Sequence, residues 1–241
     1  YCPRSSLSLA SERPIWWRHP HSAMLNQIRD IALLPIARKV ESGERLTRQD
    51  AITLFSTRDL SAVGLLANTV RERLHGDRAF FIRNQHINYT NICNKHCKFC
   101  YFARSPKDGG PEPYLMEMED VRRALRRHKS VPITEVHVVG GINPRLPYSY
   151  YLDLLRTIRE ERPGVHIKAF TAVELVEISR VAGKPIGECL EEMKALGLSS
   201  IPGGGAEVLS DRVHEVLHPK KIGPDEWENV ARAVSAAGLP Q

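Results

Sequence analysis

Asn91-Ile-Cys-Asn-Lys-His-Cys-Lys-Phe-Cys-Tyr-Phe102 places three cysteines, Cys93, Cys97 and Cys100, within eight residues, directly after a stretch that reads as a β-strand. The chain has only 5 cysteines in 241 residues, so three at one close spacing mark a ligand loop rather than scattered buried thiols. Such a loop can hold metal in two ways. Structural zinc closes four tetrahedral ligands, and the fourth would have to be His96 or a distant residue. An iron–sulfur cubane has four irons, and three cysteines would leave one of them open to another ligand.

Outward from this loop, strands and helices alternate towards the end of the chain, the pattern of βα units around a parallel sheet. Strands are predicted at about 79–90, 135–139, 165–170 and 198–201. Helices are predicted near 117–129, 148–162, 172–182, 186–196 and 224–237, with a shorter segment at 207–217. Pro163-Gly164, Gly183 and Gly197 punctuate the helix ends. Before the first strand, Leu25, Ile28, Ile31, Ala32, Ile36 and Val40 recur at helical spacing, Thr47 and Asp50 form a capping-box pattern, and a further helix runs from about 59 to Leu74. Residues 24–78 are therefore expected to be a helical segment and 79–241 the α/β part. Residues 1–23, with Trp16-Trp17 and three prolines but no period, are expected to be a disordered or non-native extension. Four βα units fall short of the six to eight strands that close a barrel, so the expected architecture is the N-terminal half of a (β/α) barrel with its C-terminal half missing.

Composition narrows the function classes. A hydrophobic fraction of 42% supports a buried core. The net charge of +6 could signal nucleic acid, but acidic and basic residues alternate along most of the chain. The one dense basic run, Arg122-Arg123 with Arg126-Arg127-His128-Lys129, falls on a predicted helix, where a solvated face is the simpler reading. No signal peptide is evident, and the apolar run Ile31 to Ala37 is short and broken by Pro35. A cytoplasmic protein with no membrane or nucleic-acid partner is expected. Cys2 and Cys189 stand far apart, so no disulfide is expected.

The unusual motifs fall at the C-terminal ends of predicted strands: the cysteine loop, Gly140-Gly141-Ile142, Thr171-Ala-Val-Glu174 and Pro202-Gly-Gly-Gly-Ala-Glu207. In parallel αβ barrels that rim carries the ligand site. Gly140 and Gly141 permit either a tight turn or a ligand's approach to the backbone. Strand alternation puts His86, Asn88 and Thr90 on one face of the first strand, and His166, Lys168 and Phe170 on one face of the third. His86 could be a ligand contact or a satisfied interior histidine. An unpaired Lys168 ammonium in a barrel would be costly, so it is expected to meet Glu174, Glu207 or a substrate carboxylate.

From Asn84 to Pro240 the chain resembles the radical S-adenosylmethionine (SAM) enzymes of the futalosine route to menaquinone and the related deazaflavin-cofactor synthases. Four segments carry the likeness: His86-Ile-Asn-Tyr-Thr-Asn-Ile-Cys93, Val138-Val-Gly-Gly-Ile-Asn-Pro144 with Pro147-Tyr-Ser-Tyr-Tyr151, Ile167-Lys-Ala-Phe-Thr-Ala-Val-Glu174, and Pro202-Gly-Gly-Gly-Ala-Glu207. The third looks most like the aminodeoxyfutalosine synthase branch. The resemblance implies a 4Fe-4S cluster on Cys93, Cys97 and Cys100, whose open iron binds SAM. It implies that Phe99 and Tyr101 place backbone near the adenine and that Gly140 and Gly141 receive the methionine amino group. His86, Lys168, Thr171 and Glu174 are then expected to contact substrate or ribose. The implied reaction is addition of the 5′-deoxyadenosyl radical to 3-((1-carboxyvinyl)oxy)benzoate, an anionic aryl enolpyruvyl ether, to give 6-amino-6-deoxyfutalosine, with electrons from a flavodoxin- or ferredoxin-type donor. The alternatives are a cyclic dehypoxanthine futalosine synthase or deazaflavin-type reaction and, in a different class, a zinc-stabilised nucleic-acid module.

Overall fold

Parallel pairing of four short strands organises the larger part of the molecule. The computed structural model describes residues 26–105 and 112–241, so the expectation for residues 1–23 lies outside the described residues. The chain divides into two units, Tyr1–Phe80 and Phe81–Gln241.

In the first unit a 3-10 turn, Ile31–Leu33, leads into α1 (Leu34–Ser42), followed by α2 (Arg48–Ser56) and α3 (Leu60–His75). The helix thus begins later than the apolar spacing suggested, because Asp30 caps Ile31–Leu33 through the Ala32 amide and Pro35 sits in the first turn of α1, where a missing N–H is tolerated. Leu33, Ile36, Ala37 and Val40 form one buried stripe with Ala62 and Leu66 of α3. The Thr47 and Asp50 capping box forms, and the Asp50 carboxylate also takes Lys39 Nζ at 2.7 Å.

The second unit carries β1 (Asn84–Ile87), β2 (Glu135–Val138), β3 (His166–Ala169) and β4 (Leu198–Ser200) in the order β1-β2-β3-β4, all parallel. Between and after them lie α4 (Met118–Arg127), α5 (Tyr148–Glu161), α6 (Ala172–Ala182), α7 (Ile186–Ala195), α8 (Asp211–Leu217) and α9 (Pro224–Ala236). This is the α/β architecture expected. The first strand is shorter than predicted at both ends. Its pairing register with β2 runs from Asn84 to Ile87, and Phe80, Phe81 and Ile82 lie outside it with exposed side chains. The segment predicted as helical from 207 becomes helix only at Asp211, since Gly205 and Glu207 have φ of 102° and 56°.

The two faces of the sheet differ in kind. Ile87, Val136, Val138, Ile167 and Ala169 are buried with Leu125, Leu154, Leu155, Ile158, Leu175 and Leu190 from the helices. Each large side chain fully buried there contributes about 1.5–3 kcal/mol. The opposite face presents Asn84, His86, Glu135, His137, His166, Lys168 and Ser200. Thr171 accepts from the Glu174 amide and Glu174 from the Thr171 amide, a reciprocal cap that starts α6 directly after β3.

Arg122 and Arg126, the core of the basic run, are tied by Glu160 and Glu161 of α5 at 2.6 to 3.5 Å. That clasp joins adjacent helices. Among the described residues, no helix is long and apolar enough to cross a membrane.

Candidate metal centre and its rim

Backbone hydrogen bonds hold the cysteine loop from several sides. Cys93 N donates to Arg104 O at 3.2 Å and Arg104 N to Asn91 O at 2.8 Å, closing the loop across its base. Asn94 N donates to Ile142 O at 3.0 Å, which joins it to the glycine loop after β2, and Lys98 N donates to Leu217 O at 2.9 Å, at the end of α8. His96 turns the chain with a left-handed φ of 50°, a conformation uncommon for a residue other than glycine.

All three thiols are free, with Cys93 and Cys97 half-buried and Cys100 exposed. Burial pushes the Cys97 thiol up; Lys221 opposes this, while Cys93, Cys100 and Glu207 add to it through their charge. The sulfurs therefore lie in one another's field. Among the described residues, no three His, Cys, Asp or Glu side chains converge on a single metal ion. Three free thiols on one loop fit the donor set of an iron–sulfur cluster, for which Cys93, Cys97 and Cys100 would be the ligands. A cavity of about 370 Å³ opens beside them, lined by residues that include Cys93, Asn94, Arg104, Asn143 and Arg145.

Packing within the protein by itself requires glycine at 140 and 141. A Cβ on Gly140 would stand 2.6 Å from the Tyr89 ring, and one on Gly141 would overlap the Ile92 carbonyl oxygen. Gly141 N also donates to Thr90 O at 2.8 Å. The missing side chain is what lets the end of β2 press against the residue preceding Cys93. Gly141→Ala is expected to push the cysteine loop outward, lowering iron content after reconstitution several-fold and the melting temperature by several degrees. Iron analysis and thermal melts check this, and full iron loading at an unchanged melting temperature would count against it.

Glu174 is buried, and all its acceptor capacity is in use. Oε1 accepts from Tyr89 Oη at 2.8 Å and Gly140 N at 3.0 Å; Oε2 accepts from Thr171 N and Thr171 Oγ1, both at 2.7 Å. Burial raises its pKa against the pull of these donors. Glu174 and Thr171, expected to contact substrate or ribose, are here taken up by each other and by the framework. They position the rim where β1, β2 and β3 end.

Lys168 meets neither carboxylate proposed for it. Glu174 is committed as described, and Glu207 is paired with Lys221. Among the described residues, no hydrogen bond or ion pair joins Lys168 to a carboxylate. Phe170, expected beside it, has a left-handed φ of 66°, and its ring is buried edge-on to Tyr89 and Tyr151. His86 is exposed and stacks on His137 at 4.7 Å with an interplanar angle of 11°. His137 was missed in the sequence because it lies in the apolar run Val136-His-Val-Val139. Its pKa is lowered, first by burial and then by the nearby His86 and Lys168.

After β4, Gly204 O accepts from Trp227 Nε1 at 3.3 Å, and the left-handed Gly205 leads into Glu207. The side chains of Phe99 and Tyr101 are exposed. His218, also missed, is buried edge-on to Phe99 at 5.9 Å with both ring nitrogens lacking a protein partner.

A model of the Radical SAM superfamily matches residues 87–241. Over 213 residues the chain is 38% identical to the aminodeoxyfutalosine synthase of Thermus thermophilus, a match covering 88% of this chain and 57% of that protein. It is 33% identical over 205 residues to the cyclic dehypoxanthine futalosine synthase of Halalkalibacterium halodurans, covering 85% of this chain and 55% of that one. The chain thus spans little more than half the length of these curated relatives. The crystal structure of methylornithine synthase (PylB) superposes with a TM-score of 0.62 at 20% identity, over 84% of this chain and 56% of the other, a likeness of fold.

Proposed function

The chain belongs to the radical SAM superfamily, and on that premise we propose that it adds the 5′-deoxyadenosyl group to 3-((1-carboxyvinyl)oxy)benzoate, after which rearrangement and loss of the enolpyruvyl carboxyl group give 6-amino-6-deoxyfutalosine in menaquinone biosynthesis. The observation that carries this reading is the 38% identity to an aminodeoxyfutalosine synthase across 88% of this chain. When bound, a reduced 4Fe-4S cluster would supply the one electron that cleaves the sulfonium of SAM into methionine and the 5′-deoxyadenosyl radical.

The chain's own residues bind, orient and exclude water. Cys93, Cys97 and Cys100 hold the cluster. The Asn94-to-Ile142 hydrogen bond keeps the cysteine loop against the glycine loop, and Glu174 fixes Gly140 from beneath. In this reading the main chain of Gly140 and Gly141 receives the methionine amino group, and the backbone at Phe99 and Tyr101 lies along the adenine. The polar face of the sheet takes the anionic aryl group, holding it where a short-lived radical meets an alkene before it meets a stray hydrogen donor. The reductant in this reading is a flavodoxin- or ferredoxin-type protein.

Product analysis tests it. With iron, sulfide, SAM, a low-potential reductant and the aryl enolpyruvyl ether under anaerobic conditions, an adduct retaining adenine is expected by mass spectrometry. Stoichiometric free 5′-deoxyadenosine with no adduct would reject the assignment in favour of hydrogen abstraction, the alternative kept open by the similarity to the cyclic dehypoxanthine futalosine synthase.

A further inference from the structure

His86, His137 and Lys168 occupy adjacent positions across three strands, paired His86 to His137 and His137 to Lys168 in the sheet register. Neighbouring strands stand about 4.8 Å apart, so side chains on one such row are in reach of one another. The two imidazoles stack nearly parallel, and Lys168 completes the row on β3.

Every strand contributes a polar group to this face. β1 supplies Asn84 and His86, β2 Glu135 and His137, β3 His166 and Lys168, and β4 Ser200. Two of these are already engaged with each other, since His166 Nε2 and Ser200 Oγ lie 2.7 Å apart. Glu135 is the one carboxylate in the set, and it is buried with its Oε1 3.8 Å from His137 Nδ1. Lys168 is half-buried, and among the described residues no side chain or carbonyl accepts from its ammonium. A partly desolvated ammonium needs an acceptor. The pKa of His137 is lowered first by burial and then by His86 and Lys168, with Glu135 opposing.

We propose that the His86, His137 and Lys168 row is a carboxylate receptor for the aryl substrate, with Lys168 as the charged contact and His137 as the adjoining donor. This rests on the reading above that the substrate is an aromatic acid, and it adds the residues that would select one. The row lies within the strands, whereas the cysteines lie in the loop beyond them. A carboxylate could also come from the methionine part of SAM, and the two sources separate by experiment.

Binding of 3-hydroxybenzoate and of its neutral counterpart 3-hydroxybenzamide is measured by calorimetry on the anaerobically reconstituted protein with SAM present. The benzoate is expected to bind, and the benzamide to bind at least about tenfold more weakly, the range of a charge-assisted hydrogen bond. Lys168→Met and His137→Gln are each expected to weaken the benzoate by about tenfold while leaving the benzamide unchanged. Lys168→Arg, which keeps the charge, retains most of the affinity and shows that the site tolerates substitution. The SAM-induced change in the cluster's electron paramagnetic resonance spectrum is expected to survive in all three variants. Equal or absent binding of the two probes, or benzoate binding unaffected in Lys168→Met, overturns the proposal. Loss of the SAM-induced change in Lys168→Met with benzoate binding intact also overturns it, assigning the row to SAM. Adduct formation is scored separately. An adduct with an indifferent row rejects the receptor and leaves the reaction standing, whereas charge-dependent binding without an adduct does the reverse.

Discussion

Cys100→Ala is expected to eliminate SAM cleavage and the visible chromophore of the reconstituted protein while leaving its melting temperature nearly unchanged. The Cys100 thiol is exposed, and the one hydrogen bond its residue makes within the loop, Cys100 N to Cys97 O at 3.0 Å, comes from the backbone. Removing an exposed sulfur that packs against little changes stability by about 0.5 kcal/mol or less. Removing one of three cluster ligands is different in kind, because the remaining two thiolates cannot fix a body that needs three. Cys97→Ala gives the same loss. Cys93→Ala loses function too, and it adds a packing cost since Cys93 lies against the main core. Cys189 provides the control. It is 1% exposed on the buried face of α7, far from the loop in sequence, so Cys189→Ala should cost roughly 1 kcal/mol of packing yet keep full iron and sulfide. Iron and sulfide analysis, visible spectra and melts on the four variants make the comparison. Full iron content in Cys100→Ala would refute the three-thiolate assignment.

The sequence made the cysteine loop and the alternation of elements legible because both are local signals. Spacing declares a ligand loop, and the Thr47 and Asp50 pair declares a helix start within four residues. What escaped depends on contacts between distant segments. The role of Gly141 is set by the Ile92 carbonyl, about fifty positions earlier, and that of Gly140 by the Tyr89 ring; neither leaves a trace in the composition near the glycines. The apolar Phe80-Phe81-Ile82 run reads as a buried parallel strand, yet the partner strand β2 supplies rungs only from Glu135 onward, so the run stays outside the ladder. Strand alternation also failed at Phe170, where one left-handed residue between β3 and α6 turns a side chain expected beside Lys168 into the core. His137 was hidden for the opposite reason: a polar residue among valines looks like an exception in an apolar strand until the sheet register sets it between His86 and Lys168. Glu174 drew attention as a chemical group, and its position makes it a structural one.

Glu174→Gln is expected to destabilise the protein by about 1–3 kcal/mol, the cost of leaving one buried donor unpaired, although the two side chains are nearly the same size. Each carboxylate oxygen faces one backbone amide, Gly140 N on Oε1 and Thr171 N on Oε2, together with one hydroxyl, from Tyr89 and Thr171 respectively. A hydroxyl can reverse and accept, but a backbone N–H can only donate. A glutamine must turn its NH₂ towards one of the two oxygens' places, so either the Gly140 amide or the Thr171 amide meets a donor. Glu174→Ala leaves all four donors without their acceptor and is expected to cost about 3–5 kcal/mol, in the range found when a buried polar network is broken. The two amides lie on different loops, so the functional loss follows which one is released. If Gly140 is freed, the glycine loop shifts, and through the Asn94 to Ile142 hydrogen bond the cysteine loop shifts with it. The expected signature is therefore a lower melting temperature accompanied by a weaker SAM-induced change in the cluster spectrum, with iron content largely kept. Chemical denaturation measures the first part and electron paramagnetic resonance the second. A Glu174→Gln protein as stable as the parent, with an unaltered response to SAM, would mean that the buried carboxylate does not hold the rim together.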